Sequence, residues 1–134
     1  MLRFASEFIG TFFLVAVVVG SGIMAENISN GNNGIALIGN TIATGAILFV
    51  LIKMFGPISG AHFNPAVSLT FFLRKELAGD DFFIYIINQI IGGILAVFLI
   101  HYIFEIPIFQ VSSNIRGEIP LLVSEILATC GLIL

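Results

Sequence analysis

Apolar residues fill four runs of the chain, and short polar segments separate them. The first three runs cover about residues 4–26, 34–55 and 82–105, and each could cross roughly 30 Å of hydrocarbon as a helix. A fourth run begins at about residue 118 and continues to residue 134. The pattern predicts an all-α membrane protein with three spanning helices and the start of a fourth.

The segment at residues 57–74 has a different pattern. Gly56-Pro57 is expected to end the second helix. Asn64 is a good helix N-cap, and Pro65 suits the first helical position because its missing N–H would have no partner there. Uncharged residues continue to Leu73, so the predicted helix is about nine residues and roughly 13 Å long. That length is less than half a bilayer.

A short apolar helix after non-helical backbone predicts a re-entrant half-helix. Unpaired backbone groups are tolerated at membrane depth only inside protein or beside a water-filled cavity. The positive N-terminal end of such a helix would repel cations, and the Asn64 amide could donate a hydrogen bond to a passing molecule. Asn-Pro is also a common turn dipeptide, and alone it would indicate only a helix start. The apolar surroundings favour the re-entrant interpretation.

Composition agrees with a lipid environment. Hydrophobic residues make up 58% of the 134 residues, charged residues 10%, and the mean hydropathy is +1.12, whereas soluble domains carry about 25% charged residues. The net charge of −3 has no concentrated block, so nothing indicates nucleic-acid binding. Cys130 is the one cysteine, and the two histidines have no metal-ligand spacing, so we expect neither a metal nor another cofactor.

Lysine and arginine placement predicts the orientation. Four of these residues would lie on the side of the N-terminus and one on the opposite side, which predicts a cytoplasmic N-terminus. We expect a multi-pass protein of the cell inner (plasma) membrane. The half-helix would then enter from the cytoplasm. The four are Arg3, Lys53, Arg74 and Lys75, and the fifth is Arg116.

A short internal repeat predicts the domain organisation. Ser6–Thr11 recurs as Ser124–Thr129, an offset of 124 − 6 = 118 residues, with serine, glutamate and threonine in equivalent places. Three spans lie between the copies, so the second copy would start from the other side of the membrane, as in an inverted-topology repeat. We therefore expect a first repeat at residues 1–117 and a truncated start of a second at 118–134.

Three motifs together resemble the aquaporin, or major intrinsic protein, family. They are the Asn64-Pro65-Ala66 triplet after Ser59-Gly60-Ala61-His62-Phe63, the Glu7-x-x-Gly10-Thr11 start, and the Tyr85-x-x-x-Gln89-x-x-Gly92 pattern. The resemblance covers the whole chain, but only the first half of the family's fold plus the opening helix of the second. It implies six spanning helices and two half-helices in the complete protein, passive passage of water or small uncharged solutes, and a homotetramer.

The resemblance also implies roles for single residues. Asn64 would supply the pore amide within the Asn64-Pro65-Ala66 triplet, next to a ladder of carbonyl acceptors. The ladder would come from Gly60, Ala61 and His62. Buried side chains would brace the re-entrant loops, and these are Glu7, Glu125 and Gln89.

One position indicates selectivity. Alignment on the triplet places Thr44 where water-specific members carry a bulky residue (64 − 44 = 20). Threonine would leave the passage wider, as in members that pass glycerol or neutral metalloid hydroxides. Residues 19–26 and 55–57 also resemble a bacterial group associated with arsenic export.

Several alternatives remain open. An ion-coupled transporter would use Glu7, Glu125 or His101, and a membrane enzyme would use His62 and Glu7 as an acid–base pair. No nucleophile, metal set or phosphate-binding loop accompanies that pair, so we interpret the protein as a non-enzyme. A single half supplies only half of a pore wall, so the chain alone is expected not to conduct. Two oppositely inserted copies could complete a pore, although the lysine and arginine bias disfavours this, and a nonfunctional remnant is the last possibility.

Overall fold

The computed structural model describes residues 1–110 and 119–133, and these ranges are helical almost throughout. Three helices are long and apolar enough to cross a membrane, and two are shorter. The predicted all-α fold of an aquaporin-like half is confirmed. The polar residues between 111 and 118, including Arg116, lie outside the described residues. The helices are α1 (Leu2–Ile28), α2 (Asn33–Ser59), α3 (Pro65–Leu73), α4 (Gly79–Ile103) and α5 (Ile119–Ile133).

Helix α1 is the central element of the described ranges. It packs along both α2 and α4. The Tyr85 side chain of α4 also reaches the last residue of α2, Ser59. A Cβ added at Gly92 would lie 2.6 Å from the Phe8 carbonyl oxygen, so the α1 and α4 backbones approach as closely as only glycine allows. Arg3 also forms a 2.8 Å salt bridge with Asp81, which joins the starts of these two helices.

The expected end of the second helix at Gly56-Pro57 is wrong. Helix α2 includes Pro57 and continues to Ser59. Gly56 has no Cβ to clash with the proline ring, and the missing Pro57 N–H removes only one hydrogen bond near the helix end. The helix ends instead at Gly60, whose left-handed φ of 87° is the usual conformation for a glycine after a helix.

Helix α3 begins and ends where the sequence predicts. Asn64 is its N-cap, with extended backbone and a side-chain oxygen that accepts a hydrogen bond from the Ala66 N–H at 2.8 Å. Pro65 occupies the first helical position, and the helix ends at Leu73 after nine residues. At about 1.5 Å per residue, α3 cannot span a bilayer.

Candidate functional site

The loop between α2 and α3 has an unusual backbone conformation. Gly60, Ala61 and Phe63 have φ values of 87°, 53° and 48°, all in the left-handed region. For residues with a Cβ this region costs about 1–2 kcal/mol each, so surrounding contacts must hold the loop.

The carboxylate of Glu7 supplies those contacts. Its Oε1 accepts hydrogen bonds from the Ser59 hydroxyl at 2.6 Å and the His62 N–H at 3.0 Å. Its Oε2 accepts from the Phe63 N–H and the Gln89 amide, both at 2.8 Å. Successive N–H groups in such a loop form a concave anion site, and Glu7 fills it from α1 with no exposed surface.

This arrangement turns the loop carbonyls away from Glu7. In a trans peptide, the carbonyl of one residue points opposite to the N–H of the next. Because the His62 and Phe63 N–H groups point at Glu7, the carbonyls of Ala61 and His62 point the other way. The Gly60 carbonyl similarly points away from Ser59, whose hydroxyl accepts from the Ala61 N–H at 3.1 Å. No group in the described ranges donates a hydrogen bond to these three carbonyls.

A second layer of buried polar contacts joins the loop to α3 and α4. The Ser68 hydroxyl lies 3.1 Å from the His62 ring nitrogen Nδ1 and accepts a hydrogen bond from the Gln89 amide at 2.9 Å. The Tyr85 hydroxyl donates to the Ser59 carbonyl at 2.8 Å. The His62 side chain is therefore held in the packing behind the loop, between the rings of Tyr85 and Phe71.

Phe63 anchors the loop on α1. Its side chain is buried, and a Cβ added at Gly10 would lie 2.0 Å from the ring. The Phe63 ring therefore occupies the space that any larger residue at position 10 would fill. The Glu7-x-x-Gly10 spacing thus places a carboxylate and an open space on one face of α1, one turn apart.

The two polar atoms of the Asn64 amide differ in their hydrogen bonding. Its oxygen caps α3, and its Nδ2 donates no hydrogen bond to any described residue. Asn64, Pro65 and Phe63 lie at an open cavity of about 640 Å³ between α1 and α4. Thr11 Oγ1 and Gln89 Oε1 are buried at this cavity without a hydrogen-bond partner among the described residues.

The other predicted pore residues lie in the loop, on α3 and on α2, outside the lining of this cavity. Gly60, Ala61, His62, Ala66 and Thr44 do not line the 640 Å³ cavity. Thr44 lies on α2, where its hydroxyl donates to Asn40 Oδ1 at 3.4 Å.

Glu125, predicted as a bracing residue, lies on α5. Its side chain is exposed, and it accepts no hydrogen bond from the described residues. In the same ranges, no three His, Cys, Asp or Glu side chains come together as metal ligands.

Sequence reasoning missed two hydroxyl residues of the site. Ser59 links Glu7 to the loop, and Ser68 links His62 to Gln89. Ser68 is a polar residue in an otherwise largely apolar half-helix, and Ser59 directly precedes the glycine that ends α2. Both signals are visible in the sequence, but neither identifies the partner.

Comparison with known proteins identifies the family of the chain. The family model described as Major intrinsic protein matches residues 1–134. The chain belongs to the major intrinsic protein family. The resemblance predicted from the three motifs is therefore confirmed.

Individual relatives of the chain are also aquaporins or aquaglyceroporins. Aquaglyceroporin AqpS of Rhizobium meliloti is 47% identical over 131 residues, which are 98% of this chain and 56% of that protein. A probable TIP-type aquaporin of Medicago truncatula is 36% identical, covering 96% of this chain and 52% of that protein. Aquaporin Z of Photorhabdus laumondii is 38% identical, covering 77% of this chain and 44% of that protein. The chain spans about half the length of these curated relatives.

Proposed function

We propose that the protein carrying this chain is a passive channel for water and small uncharged solutes. The proposal depends on the side-chain orientation of Asn64. Its oxygen caps α3, so its amide N–H donors point away from the helix and are available to another molecule. A capping oxygen must point at the helix N–H groups, which fixes the orientation of the amide. Family membership supports the same function.

The loop provides the matching acceptors. The carbonyls of Gly60, Ala61 and His62 accept no hydrogen bond from the described residues, so they can replace part of the hydration of an entering molecule. The α3 N-terminus adds a positive partial charge next to Asn64, which opposes cations and protons. A neutral molecule able to both donate and accept hydrogen bonds fits these two kinds of group.

The proposed solutes are glycerol and neutral metalloid hydroxides as well as water. Thr44 is smaller than the bulky residue of water-specific members, and the Rhizobium meliloti relative is named an aquaglyceroporin. We also propose that the complete protein is a homotetramer of the plasma membrane. Its N-terminus would be cytoplasmic, and the Arg3–Asp81 pair would lie on that side.

The contacts of Glu7 and His62 favour a channel over an enzyme or an ion-coupled transporter. Glu7 already accepts four hydrogen bonds, and the His62 ring contacts Ser68 rather than Glu7. A carboxylate saturated by loop donors is suited to bracing and leaves little capacity for a transported ion. We therefore assign Glu7 and Gln89 to bracing the first loop, and Glu125 to the equivalent role in a second repeat.

Solute flux through reconstituted vesicles tests this proposal. The protein is expressed from its complete reading frame, and vesicle volume is followed by stopped-flow light scattering in osmotic gradients. Asn64→Asp keeps an oxygen to cap α3 but removes the amide donors. We expect the variant to fold and to lose at least about tenfold of the flux, because a negative charge replaces the donors at the passage.

Asn32→Asp is the matched control. Asn32 also caps a helix, through its bonds to the Gly34 and Ile35 N–H groups, but it lies at the exposed start of α2. Its substitution should leave the flux unchanged. Full flux in a folded Asn64→Asp variant, or wild-type flux equal to that of empty vesicles, would contradict the proposal.

A further inference from the structure

A second polar cluster lies within the membrane on the contact between α1 and α2. Asn40 Oδ1 accepts hydrogen bonds from the Ser21 hydroxyl at 2.9 Å and from the Thr44 hydroxyl at 3.4 Å. The Asn40 amide also lies beside Gly22 of α1, where an added Cβ would make an ordinary contact with Nδ2 at 3.7 Å. Side chains from two helices therefore converge on one carboxamide.

The geometry leaves the Asn40 amide nitrogen available. Nδ2 donates no hydrogen bond to any described residue, and it is not among the buried atoms without partners. Ser21, Asn40 and Thr44 are all half-buried. Intramembrane polar groups face protein or a wet cavity rather than lipid, so a free, accessible donor is a candidate contact for a passing solute.

The position of the cluster separates it from Asn64. Asn40 and Thr44 lie roughly 10 and 16 Å along α2 from its start at Asn33, as the helical rise dictates. The re-entrant loop joins α2 at its other end, after Ser59. A solute crossing the membrane would meet the cluster and the loop at different depths.

We propose that Asn40 is a specificity-determining residue, which selects solutes with several hydroxyl groups over water; this rests on the proposed channel function. Its oxygen holds the Thr44 hydroxyl along α2, so Thr44 presents its methyl group and a lone pair to the passage. Its amide donates to a solute hydroxyl oxygen. A polyol or a neutral metalloid hydroxide can place two of its hydroxyl groups on the donor and the lone pair at the same time. Water in single file keeps hydrogen bonds to the neighbouring waters, so it depends less on these two groups.

The test compares glycerol and water fluxes in the protein expressed from its complete reading frame. Asn40→Leu keeps a similar side-chain volume and removes both the acceptor and the donors. We expect the ratio of glycerol flux to water flux to fall about fivefold, the factor given by the net contribution of one hydrogen bond. Arsenous acid flux should fall with glycerol flux, while water flux should stay within about twofold.

Thr41→Val is the matched control. The Thr41 hydroxyl donates to the Leu37 carbonyl of its own helix at 2.8 Å and is exposed, so its loss should leave the ratio unchanged. Ser21→Ala keeps the Asn40 donors and should change the ratio less than Asn40→Leu. If Asn40→Leu fails to assemble, Asn40→Asp is the second test, because it keeps an oxygen to accept from Ser21 and Thr44 and removes the amide donors. An unchanged ratio in Asn40→Asp would then overturn the inference.

The outcomes separate the two proposals. A purely structural role for Asn40 lowers glycerol and water fluxes by the same factor, and that result overturns this inference. An unchanged ratio in a folded Asn40→Leu protein overturns it as well. In that case a wild-type flux above that of empty vesicles still supports the channel proposal. Wild-type flux equal to that of empty vesicles overturns both.

Discussion

Glu7 and Glu125 occupy equivalent positions in two similar segments, yet their surroundings differ completely. Glu7 is fully buried and accepts four hydrogen bonds from Ser59, His62, Phe63 and Gln89. Glu125 lies on an exposed face of α5 and accepts none from the described residues. Both segments form helices, so the local motif determines the helix and leaves the state of the carboxylate undetermined. That state depends on whether a loop brings its N–H groups to the helix.

The strongest test of this comparison is removal of each carboxylate. Glu7→Ala leaves four donors without their acceptor, and we expect the free energy of unfolding to fall by at least about 3 kcal/mol. Glu125→Ala in the 134-residue chain should change it by no more than about 0.5 kcal/mol, as for an exposed side chain. Thermal unfolding in detergent, followed by circular dichroism, measures both.

The same pair of variants in the complete reading frame tests the inverted repeat. If a second loop supplies donors to Glu125, the cost of Glu125→Ala should rise towards that of Glu7→Ala. An equally small cost in both lengths of chain would remove the proposed bracing role of Glu125. Equal large costs in the 134-residue chain would contradict the difference in burial.

Neighbouring glycines on α4 test whether α4 must approach α1 closely to bring Gln89 to Glu7. Gly92→Ala places a Cβ 2.6 Å from the Phe8 carbonyl oxygen, so the helices must separate, at a cost of about 1–3 kcal/mol. Gly93→Ala meets only the Val15 side chain at 3.7 Å, an ordinary contact. It should be neutral or slightly stabilising, because alanine favours helix. Equal melting temperatures for the two variants would contradict this packing.

Two hydroxyl residues of α3 give the smallest expected effect. Ser68 is buried and bonded to Gln89, so Ser68→Ala should cost about 1–2 kcal/mol by leaving the amide with one acceptor fewer. Thr70 donates only to the Ala66 carbonyl of its own helix, and Thr70→Val should cost less than about 0.5 kcal/mol. Detergent unfolding of the two variants measures the difference. A larger loss for Thr70→Val would mean that α3 faces α4 differently.

Local chemistry explains which parts of the fold could be predicted. The three spans follow from long uncharged runs, and the start of α3 follows from an N-cap asparagine followed by proline. Both depend on neighbouring residues. The end of α2 could not be predicted in the same way, because a proline near a helix end removes just one hydrogen bond and Gly56 tolerates it.

The candidate site depends on contacts between distant residues, which a single sequence does not specify. Glu7 and Gln89 were predicted because a family resemblance connects them. Ser59, Ser68 and Ser21 were missed because serine is common in helices of membrane proteins, and its partner is decided by packing. The left-handed conformations of Ala61 and Phe63 could not be predicted either, since neither residue type favours them.

The wide sequence separation of the Glu7 contacts also constrains biosynthesis. The carboxylate emerges from the ribosome 55 and 56 residues before its backbone partners and 82 residues before Gln89. Until those residues are made, α1 carries an unsatisfied acid that lipid disfavours. We therefore expect the nascent first helix to remain beside water or the insertion machinery longer than a helix without this acid would, until the later segments bring their donors to it.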